Sequence, residues 1–199
     1  DSSIKNIGSQ LALDLANNGG FKPDTVSNCG QYAGVNLWNN GNRWCSNYQD
    51  ILQLMINLTE EKLIEQFPNK TFFNIDIDGF FLVGQGNPEI IRTENAKYTY
   101  LSNFAINLGY PFDEYLIIQN SARELLSRCK NENDLKSCLN SAKPTYWKYT
   151  SCEEEQYPSL GRTIPFCVNS PNLALLPLGN FFVQPEIPLT YSLALDFSS

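Results

Sequence analysis

Six cysteines, Cys29, Cys45, Cys129, Cys138, Cys152 and Cys167, constrain this chain of 199 residues more than any other feature. Their number is even, and their spacing contains neither a redox C-x-x-C nor the ligand spacing of a zinc knuckle, so three disulfides are expected. Of the fifteen connectivities six cysteines allow, the simplest is sequence-local: Cys29–Cys45, Cys129–Cys138 and Cys152–Cys167. Cys129 ends one predicted helix and Cys138 lies within the next, so their bridge would staple a helical hairpin. Closing so short a loop contributes about 2–3 kcal/mol.

Disulfides persist in oxidising compartments. Two sequons, Asn57-Leu58-Thr59 and Asn69-Lys70-Thr71, have the form of N-glycosylation acceptors and indicate the same setting. The sequence opens at Asp1 without an apolar leader, which fits a chain whose signal peptide has been removed. No apolar run approaches the roughly 20 residues that span a bilayer. A formal charge of −7 and a pI near 4.6 exclude nucleic acid as an expected partner, because phosphate binding needs clustered Lys and Arg. The expected setting is the extracellular space or the secretory lumen. N-linked glycans at Asn57 and Asn69 are expected there, with other protein subunits, copies of this chain among them, as partners.

Histidine is absent. A Ser-His-Asp or Cys-His mechanism therefore cannot be assembled within the chain, nor can a His-containing zinc site. Paired carboxylates can hydrolyse glycosides without histidine, and Asp76, Asp78, Glu114 and Glu154 are the residues of that type. Sequence supplies no distance between them. No catalytic residue and no cofactor is assigned, and a non-enzymatic role is expected.

Periodicity predicts a largely helical chain. Ile4, Ile7, Leu11 and Leu15 repeat at helical spacing before Gly19-Gly20. Residues 21–44 are rich in Gly, Asn and aromatics and read as a long loop crossed by the first disulfide. Further helices are expected at 46–57, at 59–67 capped by Thr59, and at 93–108 with Lys97, Leu101, Phe104 and Leu108 in line. Others follow at 112–128, from Asn133 or Asp134 through Ser141, and at 146–156. Residues 73–78 alternate as a strand does, with an apolar run to Val83. Prolines punctuate the chain after Pro158, but residues 189–197 alternate apolar and polar at a period of two. The expected fold class is mainly α with a small β component. A disulfide-stapled helical body, residues 1–160, would carry a proline-rich extended segment, residues 161–199, that ends in a strand.

Four features carry candidate sites. Asn74-Ile75-Asp76-Ile77-Asp78-Gly79 matches the opening of a calcium loop at Asn74, Asp76 and Asp78. Asn74 replaces the usual aspartate and Gln85 the bidentate glutamate, and the alternative is a half-buried strand with its polar side chains in water. Trp38 and Trp44, with Tyr32 and Tyr48, offer either an exposed platform for sugar or protein, or core filling around the first disulfide. Leu189, Tyr191, Leu193, Leu195 and Phe197 form a strand that either pairs at home or is donated to a neighbouring subunit. Glu153-Glu154-Glu155 reads as a solvated charge run.

Trp147, Tyr149, Cys152 and Glu154 fit the pattern W-x-Y-x-x-C-x-E. This resembles a motif in the helical cap of the prolyl carboxypeptidase and dipeptidyl peptidase II family of serine peptidases, over at most residues 45–167. The resemblance implies a cap region whose catalytic triad lies elsewhere. Without a G-x-S-x-G elbow or a histidine, no catalytic residue carries over. The leading expectation is a secreted structural or binding building block, self-assembling through its C-terminal strand. A detached or non-catalytic peptidase cap and a carbohydrate-binding module are the alternatives.

Overall fold

The computed structural model describes residues 2–68, 73–152, 157–158, 161–177 and 186–198. Helix α1 (Ser2–Asn17) buries Leu11, Ala12, Leu15 and Ala16 along one stripe. It stops where Gly19 and Gly20 turn left-handed, at φ 65° and 83°. The Gly20 N–H reaches back to the Leu15 carbonyl at 2.7 Å, satisfying an orphan helix acceptor.

The segment read as a loop contains two small ribbons. β1 (Gln31–Tyr32) pairs with β2 (Val35–Asn36), and β3 (Asn39–Asn40) pairs with β4 (Arg43–Trp44). Helix α2 (Tyr48–Gln66) is one continuous helix where two were expected. Asn47 caps it by accepting the Asp50 N–H. Thr59, expected as a second cap, is buried in mid-helix and donates to the Met55 carbonyl at 2.8 Å. No Gly or Pro lies between 48 and 66 to break the ladder.

The largest departure follows. β5 (Phe73–Asp78), β6 (Phe81–Gly86), β7 (Glu89–Arg92), β8 (Lys97–Tyr100) and β9 (Asn103–Asn107) occupy the region that includes the expected helix at 93–108. β5, β6 and β9 form an antiparallel sheet, while β7 and β8 pair with each other. Tyr98, Thr99, Tyr100, Phe104 and Ile106 are strand formers, and their period of two prevails over the coincidental helical spacing of 97, 101, 104 and 108.

Helices α3 (Glu114–Cys129) and α4 (Leu135–Ala142) stand where expected. α3 buries Tyr115, Ile118, Ala122 and Leu125, and Asp134 caps α4 by accepting the Ser137 N–H. The chain then enters β10 (Trp147–Tyr149), not the expected helix at 146–156. It continues as β11 (Thr163–Asn169), the short pair β12 (Leu175–Pro177) and β13 (Glu186–Pro188), and β14 (Thr190–Asp196). β11 lies between β10 and β14. Pro165 fits inside β11 because it stands at the end of the β10 pairing, where the Thr150 N–H donates to the Pro165 carbonyl at 2.9 Å and only the last rung lacks a donor.

The fold is thus an α+β mixture with about as many strand as helix residues, not mainly α. Residues on both sides of position 160 share one sheet and one hydrophobic core. The reason is β10: its Trp147 and Tyr149 are buried against β11, and they give the segment after 160 a ladder to join.

Candidate functional site

All three sequence-local disulfides are present: Cys29–Cys45, Cys129–Cys138 and Cys152–Cys167. The second links the end of α3 to α4, as the helical-hairpin argument required. The first fastens the aromatic segment, whose two tryptophans part company. Trp38 is fully buried and donates its indole N–H to the Gly19 carbonyl at 2.7 Å. Trp44 is half-buried, with the Arg123 guanidinium 5.1 Å from its ring centre. Burial takes Trp38 out of any contact surface, which corrects the contact role expected of it, while Trp44 keeps part of its ring at the surface beside Arg123. A ring of Trp size is worth too much as core to stand in water when a cavity exists for it.

The C-terminal strand is corrected likewise. Leu189, Tyr191, Leu193, Leu195 and Phe197 are all buried. β14 pairs with β11 along its whole length. On its other edge the Trp38 N–H donates to the Ala194 carbonyl at 3.0 Å. The Asn39 carboxamide acts as a further ladder rung, donating to the Asp196 carbonyl and accepting the Asp196 N–H. Both edges are engaged within the chain, so the strand is central to its own sheet.

Asn74, Asp76 and Asp78 stand in a row on the exposed face of β5, opposite Ile75 and Ile77. Alternate strand residues are about 7 Å apart along the strand. A calcium loop instead curls its oxygens around one ion at 2.3–2.6 Å. The stretch therefore takes the half-buried strand geometry, ending in a turn at Gly79. Asn57 is exposed on α2 and accepts a hydrogen bond from Gln53. Asn69 and Glu153-Glu154-Glu155 lie outside the described residues. Of the resemblance motif, Trp147 and Tyr149 lie on strand β10, not in a helix.

Glu114 is the carboxylate the fold treats most unusually. It is fully buried at the start of α3. One oxygen accepts from Ser170 Oγ at 2.6 Å and from the Asn172 backbone N–H and side-chain amide at 3.1 and 2.8 Å. The other accepts from the Tyr191 hydroxyl at 2.6 Å. Burial first, then the neighbouring Tyr115 and Glu114, raises the Tyr191 hydroxyl well above its ordinary range, so it stays protonated as a donor. Four donors saturate this carboxylate, which suits a structural anchor between α3, β14 and residues 170–172 better than a catalytic acid.

An open cleft of about 460 Å³ is lined by Lys136, Asn140, Lys143, Tyr149 and Tyr157. Within it the Tyr149 hydroxyl donates to Asn140, Lys136 and Lys143 sit over the rings of Tyr157 and Tyr149, and Lys143 Nζ also donates to the Trp147 carbonyl outside the lining.

The feature that sequence reasoning missed is the β7–β8 ribbon. Its register pairs Glu89 with Tyr100, Ile90 with Thr99, Ile91 with Tyr98 and Arg92 with Lys97. Cross-strand partners share a face, so Ile91, Tyr98 and Tyr100 lie on one side and Ile90, Thr99, Arg92 and Lys97 on the other. The exposures are Ile90 52%, Ile91 53%, Tyr98 59%, Tyr100 50% and the adjoining Leu101 53%. β6 and β9 feed directly into β7 and β8, and the Gly86 N–H bonds the Ser102 carbonyl at the junction. The result is a two-stranded arm extending from the β5–β6–β9 sheet, its two faces both open to solvent. The β-rich runs Glu89-Ile90-Ile91-Arg92 and Lys97-Tyr98-Thr99-Tyr100, around Glu94-Asn95, were the signal available for it.

The chain matches no protein-family model, no curated protein and no solved structure.

Proposed function

We propose that this chain is a secreted, non-enzymatic glycoprotein that works as a protein-binding building block through the arm formed by β7 and β8. The observation that carries this reading is the exposure of Ile91, Tyr98 and Tyr100 on one face of the ribbon, with Ile90 on the other and Leu101 just beyond β8. Burying such residues is worth about 1.5–3 kcal/mol each, and neighbouring apolar side chains left in solvent on one face mark a contact surface. A two-stranded ribbon alone is marginal in water, and a partner strand or face would complete it. Three disulfides fit a chain that holds its shape outside the cell. The absence of histidine and the saturation of Glu114 favour binding over catalysis.

Site-specific photocrosslinking tests the reading. A photoreactive residue replacing Tyr98 in the full-length, disulfide-intact secreted protein should form protein adducts, while one replacing the exposed Gln53 on α2 should not. Equal yields at the two positions, or none from the arm, would refute it.

A further inference from the structure

Resting on the reading of a secreted glycoprotein, we infer that Asn57 receives its glycan only while the chain is unfolded, and that the finished fold closes this acceptor site. The sequon Asn57-Leu58-Thr59 lies in the middle of α2, whereas an acceptor open in the folded state belongs on a surface loop. Its two defining side chains have opposite fates. Asn57 is exposed; its Oδ1 accepts from Gln53 at 2.9 Å, and its Nδ2 has no hydrogen bond among the described residues. Thr59 is fully buried, and its hydroxyl donates to the Met55 carbonyl at 2.8 Å. Presenting that hydroxyl to an enzyme means unwinding the turn between Met55 and Thr59 and drawing Met55 and Leu58 out of the core.

In the transfer, Asn57 Nδ2 forms a bond to the anomeric carbon of an oligosaccharide carried on a lipid diphosphate. The carbon–oxygen bond to the diphosphate breaks, the lipid diphosphate leaves with the electron pair, and a base of the transferring enzyme takes the amide proton. Thr59 supplies an independent argument for the timing. It stands at a core position, where among the described residues its hydroxyl bonds only within its own helix, to a carbonyl that an α-helical ladder already engages. Such back-bonding slightly destabilises a helix, so the fold draws nothing from the hydroxyl that a valine methyl would not supply. The hydroxyl is of use before the helix forms. α2 shares one core with β14, whose residues are synthesised later, so a window on the order of 10 s separates the making of the sequon from the closing of the core. Occupancy at Asn57 is set by the rate of transfer against the rate of folding. A glycan once added stays compatible with the fold, because Asn57 is exposed.

The test uses the full chain, disulfide-intact and unmodified, from bacterial periplasmic expression. It is offered to a purified oligosaccharyltransferase with its lipid-diphosphate donor, once folded and once reduced, alkylated and unfolded. Mass spectrometry of the peptide carrying Asn57 follows the reaction. Transfer to the unfolded chain is expected, with transfer to the folded chain at least ~1000-fold slower, as its opened population dictates. In secreting eukaryotic cells Thr59→Ser should keep the glycan at Asn57 and Thr59→Val should abolish it. The unmodified Thr59→Val chain should melt no lower than the native one. Equal rates on the folded and unfolded chains would overturn the closed-site inference and leave the glycoprotein reading standing. A Thr59→Val chain that melts several degrees lower would overturn it too, since the hydroxyl would then serve the fold. No transfer at Asn57 in either state would also overturn it, and none at Asn69 either would remove the glycoprotein reading with it.

Discussion

Glu114 shows how much a single side chain holds in this protein. Its carboxyl group is buried and met by four donated hydrogen bonds from Ser170, Asn172 and Tyr191. Truncation by Glu114→Ala would leave those donors unpaired, at about 1–3 kcal/mol for each buried group left unsatisfied. A loss of at least ~3 kcal/mol is expected, a fall of roughly 6–12 °C in melting temperature for a domain of this size. Thermal unfolding followed by circular dichroism would measure it. Asp196 gives the pH-dependent counterpart. Burial alone would raise its pKa, but hydrogen bonds from Ser198, Gly41 and Thr163 outweigh burial and hold it below the ordinary carboxylate value. A carboxylate depressed in the folded state contributes stability above its unfolded pKa, near 4, and loses that contribution as pH falls through the folded value. The stability advantage of the native protein over Asp196→Asn should therefore be constant above about pH 5 and shrink below pH 4. Melting curves across that range would show it.

Elements were legible where one period stood alone. α1, α3 and β14 carry a single clear repeat, and each formed where that repeat placed it. The arm was not legible in the same way. Lys97, Leu101, Phe104 and Leu108 fit a helix, while Tyr98-Thr99-Tyr100 and Phe104-Ala105-Ile106 fit strands, and short runs cannot separate the two by period alone. Pairing of β9 to β6 and of β8 to β7 decided the matter, and the first of these is a contact no local window contains. Two predictions belong to this scale. Asn47→Ala removes the α2 cap and should cost about 1 kcal/mol, read as a lower denaturant midpoint at unchanged slope. Gly19→Ala should cost more, since its φ is left-handed and a Cβ there would come within 2.6 Å of the Ser192 backbone oxygen. The backbone conformation alone accounts for about 1–2 kcal/mol, and the contact with β14 adds to it. Hydrogen exchange along β14 would show whether the strand loosens as a unit.

The described residues are held by three staples around one core, and the arm stands outside that core with large apolar side chains in solvent. Each disulfide closes a loop of 9 to 16 residues in sequence separation. Entropy alone assigns each about 3 kcal/mol. Replacing Cys29 and Cys45 together by Ser should lower stability by about that amount. It should also expose Trp38, giving a red shift in its fluorescence under conditions where the native chain is folded. Sequence by itself determined the cysteine set and its local pairing, the absence of histidine chemistry, the acidic charge, and the helices and strand whose periodicity is unopposed. These are properties of neighbours along the chain, which composition and spacing record. Only the tertiary structure decided which apolar residues went inside. Trp38 and the five side chains of residues 189–197 looked available for partners until Asn39, Gly19 and β11 closed around them. Leu101 stood in line with Phe104 and Leu108 on the expected helix, but the fold leaves it in solvent with Ile90, Ile91, Tyr98 and Tyr100. Burial is a property of the space between distant segments, and no reading of one segment contains it.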